Sequence, residues 1–598
     1  MIVAMLSACV AEPEIELPAP DPRPLVDPGD AIASYVLRFP EVQAHRIQIE
    51  ATSRCPAGGT LQWWMATWTP GSYLVREFAR NLEQIEALSP GGAQPITKIA
   101  KNRWQVRCVP GEASGVRYVL YARELSVRTS FVDDELGVIN GAATFLFPDR
   151  ATGPLDVRLE LPQPWSRSET ALQPHPDGSP HHYLAPDVDT LIDSPLVLGN
   201  PEVRIFDVDE IPHHLVTLGQ PGPWDHDRAV ADVERITQGV VDFWGEIPYP
   251  EYWFLNVLGE ISGGLEHRES TLMMTSRWNT SRRAERLRWL GLVSHELFHT
   301  WNVKRLRPEA LSHLDYEREV YTPSLWIAEG ITSYYDDLLL ARAGLMTEAE
   351  YLERLSSNIA DVQRRPGRRI QPLSAASFDA WIKHYRRDEN TVNSSVSYYT
   401  KGAVVAWLLD AKIRRATQDR HSLDDLMRLA RSRTLDEGYS PERFRALASE
   451  IAETPLDPFF ASAVDSTDEL DFADALQWWG LRFHPPGTET SGGWLGASID
   501  PELVVTEVLR DSPAWHAGLT VGDELLALDD ERLTSGLLET RLDQLGAGHE
   551  GLLLVSRRGH LRRLSLTLGA VPTRSWSVQP DPGASPIADR RRRAWLSP

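Results

Sequence analysis

The stretch Ser294-His295-Glu296-Leu297-Phe298-His299-Thr300 decides how this chain is read. On a helix, side chains four apart leave one face, so His295 and His299 can grip one metal ion. Glu296 then lies beside the metal's open position, where a water binds, and is placed to act as its base. Two imidazoles and a carboxylate base in this spacing are the pattern of a zinc peptidase, with one zinc ion as cofactor. Leu287, Leu290, Leu297 and Trp301 supply an apolar stripe, which predicts a helix over residues 284–303.

A zinc site needs a third protein ligand. Two downstream glutamates compete for the role. Glu319 has the spacing from His299 that the thermolysin type shows, but it sits in a polar segment with Asp315, Glu317 and Arg318. Glu329 sits in Leu325-Trp326-Ile327-Ala328-Glu329-Gly330-Ile331, an apolar helical frame predicted over 325–340. A carboxylate buried there is costly alone, and a metal ion removes that cost. Glu329 is the expected ligand.

Two more stretches flank the motif. Gly263-Gly264-Leu265-Glu266-His267 reads by itself as a hairpin turn, although paired glycines also let a peptide backbone lie close alongside. Tyr399-Thr400-Lys401-Gly402 opens an apolar helix to Ile413, and a packed tyrosine at the helix end is its plain reading, with Tyr398 as competitor.

Several motifs in chain order resemble the aminopeptidase-N group. Trp326-x-x-Glu329-Gly330-x-x-Ser333-Tyr334 is similar to the segment that gives its third zinc ligand. Gly263 to His267 resembles its substrate strand, with His267 where that group has asparagine. Tyr399 to Gly402 resembles the segment carrying its transition-state tyrosine. Trp68-Thr-Pro-Gly71-Ser-Tyr73-Leu-Val-Arg76, Leu125-Ser-Val-Arg128-Thr and His299-Thr-Trp-Asn302-Val-Lys304-Arg305-Leu-Arg307-Pro308 are more specific. They look like the bacterial glycyl-aminopeptidase family of PDZ-containing zinc metallopeptidases. The resemblance spans roughly 32–570. It implies His295, His299 and Glu329 as zinc ligands and Glu296 as general base, with Tyr399 on the oxyanion. It also implies Gly263 and Gly264 along the substrate backbone, Glu266 on its free α-ammonium, and small N-terminal residues such as Gly and Ala as the preferred leaving residues. No catalytic role is assigned to Lys304, Arg305 or Arg307.

The rest of the chain fits such a protein. Its 598 residues exceed one core and suggest about three or four domains. Hydrophobic content of 42% and charged content of 24% are globular values, and a net charge of -23 argues against nucleic acid as a partner. Leu6-Ser7-Ala8-Cys9 resembles a bacterial lipobox, and the proline-rich acidic run after it reads as an extended tether. The expected place is therefore the bacterial envelope, in the periplasm on a lipid anchor, with the membrane touched only through Cys9. In an exported chain Cys55 and Cys108 are free to pair; in the cytosol they stay thiols.

β-formers between Pro and Gly breaks run from 32 to 200, helical periods dominate 201–483, and short strands return after 484. Ser512-Pro513-Ala-Trp-His-Ala517-Gly518-Leu519-Thr-Val-Gly522-Asp523 resembles a bacterial PDZ segment, and Trp494-Leu495-Gly496-Ala497 is its candidate carboxylate loop. The fold expected is multidomain α+β. Residues 1–31 are the tether, 32–200 a β-rich sandwich, 201–483 a mostly helical, thermolysin-like catalytic domain, 484–570 a PDZ domain and 571–598 a solvated or docking tail. The partners are peptide substrates and, at the PDZ domain, a protein C-terminus or extended peptide. An endopeptidase on the same scaffold, or a non-catalytic PDZ adaptor, are the alternatives.

Overall fold

Every second side chain is buried along Ala33–Phe39 and through most of Arg46–Arg54, which is how a strand buries one face. The computed structural model, which describes residues 31–88, 96–149, 152–434, 437–484, 492–571 and 576–597, sets these two strands inside a seven-stranded sheet. Cys9 and the proline-rich run after it lie outside the described residues. Tyr35, Leu37, Ile47 and Ile49 face Trp63, Trp104 and Val106 of a four-stranded sheet, and the two faces share one apolar core. Cys55 and Cys108 form a disulfide that ties the end of Arg46–Arg54 to the end of Arg103–Arg107, and so one sheet to the other. The β-rich N-terminal domain is thus a sandwich.

A five-stranded mixed sheet opens the next domain, in the order Glu202–Val208, Ile211–Leu218, Tyr252–Leu258, Ser270–Thr275, Gly263–Glu266. Ile211–Leu218 and Tyr252–Leu258 run parallel, and the connection between them carries the helix His226–Trp244. Gly263–Glu266 is the edge strand, paired antiparallel to Ser270–Thr275. Behind the sheet lies a helical body with a single large core. Three of its helices carry the site: Arg283–Phe298, Ile331–Arg342 and Thr400–Thr417.

Two helix boundaries differ from the sequence reading. The motif helix ends at Phe298, with His299 as its cap, and does not run to Val303. The chain turns there because the Asn302 carbonyl accepts from His299 Nδ1 at 2.7 Å, while Asn302 Nδ2 donates to the carbonyls of Ile327 and Ala328 at 3.0 and 3.1 Å. The segment predicted over 325–340 begins as a π-helical turn, Trp326–Gly330, before the α-helix. A π-turn adds a residue to the turn and re-aims the side chains in it, here Glu329.

The C-terminal PDZ domain has its own core around Val505, Leu525, Leu553 and Val555. Asn393 of the helical body fastens it: Nδ2 donates to Val508 O at 2.8 Å, and Oδ1 accepts from Arg510 N at 2.7 Å. Of the two expectations for the tail, solvated or docking, the structure shows a docked, folded element. Val578–Pro580 pairs with Leu481–Phe483, and the helix Pro586–Leu596 sets Trp595 against Trp479 with ring centroids 4.3 Å apart. Arg592, one of the four successive arginines Arg590 to Arg593, is buried and donates to the carbonyls of Trp479 and Gly480. Apolar burial of Trp595 and Leu596 outweighs the charge of the neighbouring arginines.

Candidate metal centre

His295 and His299 leave the last turn of the motif helix towards Glu329 of the π-turn. Their Nε2 atoms lie 3.0 Å apart, and Glu329 Oε2 is 3.5 Å from His295 Nε2 and 3.1 Å from His299 Nε2. Ligands about 2.0–2.1 Å from a tetrahedral zinc stand about 3.3 Å from one another. The three atoms therefore surround one point at zinc-ligand distance.

Hydrogen bonds fix which nitrogen of each ring faces that point. His299 Nδ1 donates to the Asn302 carbonyl, and His295 Nδ1 lies 3.0 Å from Asp336 Oδ2. With both protons on Nδ1, both Nε2 lone pairs face a carboxylate oxygen. Three acceptors then converge with no donor between them, an arrangement that a bound metal ion satisfies. Glu329 is 1% exposed, and burial alone would lift its pKa; the two histidines outweigh burial and hold it below the usual carboxylate range. The residues present fit a zinc ion.

Glu329 is brought close by an exchange of glycines. At Gly330 an added Cβ would stand 2.5 Å from Gly402 Cα, and at Gly402 one would stand 2.7 Å from Gly330 Cα. The two backbones cross at near contact, which only paired glycines allow. Glu329 precedes one glycine, and Tyr399 starts the helical turn that ends at the other. Tyr399 lines the cavity over the metal point, its ring 6.1 Å from that of His295. Burial raises its hydroxyl pKa well above the ordinary value, and Glu329 adds to this, so it stays a proton donor. Tyr398 is fully buried behind it.

Glu296 is 5% exposed, and its Oε2 is buried without a hydrogen-bond partner. Burial, with Glu266 and Glu329 adding to it against the two histidines, raises its carboxyl to about 7. A group near neutrality can both take and return a proton. Gly264 of the edge strand makes room for it: a Cβ there would fall 2.0 Å from Glu296 Oε1. Glu266, two residues on and facing the same way, is also buried, with Oε1 unpartnered; its ligand atom lies within 4.8 Å of those of Glu296 and His299. Gly263 is the start of the same strand. All eight residues expected at the site thus fall in one region. Glu319 lies exposed in a loop, outside it.

Several contributors escaped the sequence reading. Asp336, which orients His295, falls two helical turns after Glu329 on the same face, and that spacing was the available signal. Asn302 stands in a quoted motif, and its amide ties the two ligand segments together. Gly71, also in a quoted motif, adopts φ +80, and a Cβ there would strike the Glu266 carboxylate at 2.3 Å. Tyr385 donates to the Gly71 carbonyl at 3.3 Å, closing the wall of the cavity from the helical side. His267 points away from the cleft, with Nδ1 3.1 Å from Asp193 Oδ1 of the N-terminal domain. Lys304 meets the same carboxylate at 2.8 Å, and Arg305 donates to the carbonyls of Arg268, Thr300 and Pro248. These contacts hold the segment after the motif helix against its neighbours.

Residues 288–405 match the model of the M61 glycyl aminopeptidase, 34–200 that of the peptidase M61 N-terminal domain, and 504–551 that of a PDZ domain. A solved aminopeptidase N family protein from Idiomarina loihiensis is 29% identical, with a TM-score of 0.88 over 95% of this chain and 100% of that one. An M1 zinc metallopeptidase from Deinococcus radiodurans aligns at 14% identity and a TM-score of 0.47, over 75% of this chain and 96% of that one. Among curated proteins, a probable periplasmic serine endoprotease, DegP-like, from Pseudomonas putida is 30% identical over 118 residues. That match covers 17% of this chain and 25% of the relative, so the chain spans about a quarter of its length. With both family domains matched in order and a near full-length structural counterpart, the chain belongs to the M61 glycyl aminopeptidase family of metallo-aminopeptidases and carries a PDZ domain beside its peptidase domain.

Proposed function

We propose that this protein is a zinc-dependent aminopeptidase that removes small N-terminal residues, glycine or alanine, from peptides. His295, His299 and Glu329 would hold one zinc ion, which would supply Lewis acidity to the scissile carbonyl and to the attacking water. Glu296 takes the water's proton and hands it to the departing amine. The Tyr399 hydroxyl donates to the oxygen on which negative charge develops. Gly263 and Gly264 let the substrate backbone lie along the edge strand, and Glu266 receives the α-ammonium.

One observation carries the exopeptidase reading. Glu266 is a buried carboxylate with an unpartnered oxygen, its ligand atom within 4.8 Å of that of Glu296. A substrate ammonium bound there sets the scissile carbonyl a single residue away, over Glu296 and the metal point. The preference for Gly and Ala rests on family resemblance. The test is turnover of glycine and alanine p-nitroanilides against their N-acetyl forms, with metal analysis on the same sample. Free amines are expected to be cleaved and blocked ones not; equal cleavage of both would make the enzyme an endopeptidase.

The setting proposed is the bacterial periplasm, on a lipid attached to Cys9, and the Cys55–Cys108 disulfide supports an oxidising compartment. No helix among the described residues is long and apolar enough to cross a membrane. Palmitate labelling that disappears in Cys9→Ser tests the anchor. For the PDZ domain the proposed ligand is a protein C-terminus or extended peptide.

A further inference from the structure

The aminopeptidase reading leaves one charged group over the cleft without a task. Arg128 comes from the N-terminal domain and lines the same cavity of about 550 Å³ as Glu266, Glu296 and Tyr399. Its Nε is buried with no hydrogen-bond partner, and its guanidinium has no ion pair among the described residues. A buried guanidinium nitrogen left bare is costly unless a ligand completes it. No other arginine of the cavity has a buried guanidinium nitrogen without a partner among the described residues. Arg387 donates to the carbonyl of His384, Arg354 acts on the carboxylates of Asp336 and Asp337, and Arg288 is exposed on the motif helix.

A second guanidinium stands beside Arg128. Arg76 is near enough that repulsion from Arg128, after burial, lowers its pKa, with Tyr385 and then Glu124 opposing this. The carboxylates of the cavity, Glu266, Glu296, Glu329, Asp336 and Asp337, leave this guanidinium pair as the place an anion can take.

Its place along the edge strand says which anion. A Cβ at Gly263 would lie 3.9 Å from Arg128 Nη1, one at Gly264 would meet Glu296, and Glu266 stands at the far end. At about 3.3 Å per residue, the three steps from Gly263 to Glu266 cover about 10 Å. A peptide with its ammonium on Glu266 and its scissile carbonyl over Glu296 continues past Gly263 on the leaving-group side. After about three residues its chain reaches the guanidinium. We propose that Arg128 binds a substrate carboxylate on the leaving-group side, so that the preferred substrates are short zwitterionic peptides of about three residues. A guanidinium fork matches a carboxylate in shape as well as charge. This inference rests on the aminopeptidase reading, since Glu266 sets the register.

The test compares Ala-Gly-Gly with its C-terminal amide, and adds Ala-Gly-Asp-amide, on the full chain with zinc. A charge-assisted hydrogen bond of this kind predicts a kcat/KM for the free acid about tenfold or more above that of the amide, mainly through KM. In Arg128→Ala the ratio should fall towards one, and Arg128→Lys should keep part of it. If Ala-Gly-Asp-amide recovers the rate, an acidic side chain is an equal source of the carboxylate; if it does not, the terminal carboxylate is the source. Equal turnover of acid and amide by the wild type overturns the inference and leaves the aminopeptidase reading standing. A ratio that persists in Arg128→Ala overturns the assignment to Arg128. Failure to cleave any of the three free-amine peptides overturns the aminopeptidase reading itself. The wild-type ratio needs no folded variant, and thermal unfolding of each variant separates loss of recognition from loss of structure.

Discussion

Replacing Gly402 with alanine should damage catalysis more than folding. The new Cβ would stand 2.7 Å from Gly330 Cα and 3.2 Å from the Trp326 carbonyl. Comfortable contact between such atoms is about 3.5–4.0 Å, so the two backbones must part by about 1 Å. Over-packing of this kind costs about 1–3 kcal/mol of stability. Glu329 and Tyr399 ride on the two segments that separate, so the proposed third ligand and the proposed oxyanion donor move apart. A 1 Å displacement of reacting groups lowers rates about 100-fold. The assay pairs kcat on alanine p-nitroanilide with zinc content and thermal unfolding. Gly239→Ala in the helix His226–Trp244 is the control, because its Cβ would meet Ala343 at an ordinary 3.7 Å. The expected result is a folded, zinc-loaded Gly402→Ala variant with kcat reduced about 100-fold and a control close to wild type. A Gly402→Ala variant with normal kcat would refute the account of the glycine crossing. So would a loss fully explained by unfolding.

Three further outcomes are expected. Asp336→Asn removes the charged acceptor of His295 Nδ1 and should weaken zinc binding about 10–100-fold, read by competition with a chelator; unchanged affinity would leave Asp336 without a role. Burial alone would raise the pKa of Asp193, but Lys304 and His267 hold it well below the usual range. A depressed folded pKa means its stabilisation is complete above the unfolded value of about 3.9 and is lost as pH falls through the folded one. Asp193→Asn should therefore cost about 3–5 kcal/mol at pH 7, and the gap to wild type in urea unfolding should close as acid is added below about pH 4; a gap that widens contradicts this. Cys108→Ser opens a loop with a sequence separation of 53 and should lower stability by up to about 4 kcal/mol, an effect that reductant reproduces in the wild type but not in the variant.

The sequence made the metal triad legible because its chemistry is written in local spacing. His295 and His299 are four apart, and Glu329 is betrayed by a charge inside an apolar frame. The sandwich is likewise visible in alternating strands, whereas the PDZ domain rests on the resemblance carried by Ser512 to Asp523. What stayed hidden depends on chain segments meeting at a distance. The contact of Gly330 with Gly402 joins residues that no periodicity connects. Asn302 ended the motif helix early through a side-chain bond to a segment 25 residues on. Arg592 and Trp595 read as a charged tail because the surface that buries them, around Trp479, belongs to another stretch of the chain.

That returning C-terminal segment changes what kind of module the PDZ domain is. Phe483 and Val578 are partners across one short ladder, so the chain leaves the peptidase body and re-enters it at the same point. The domain hangs as a loop insertion on two neighbouring stems, steadied by the clasp at Asn393. Excising it between the stems with a short bridge spares the body, whereas cutting the chain before residue 578 strips Trp595 from the helices that flank the zinc motif.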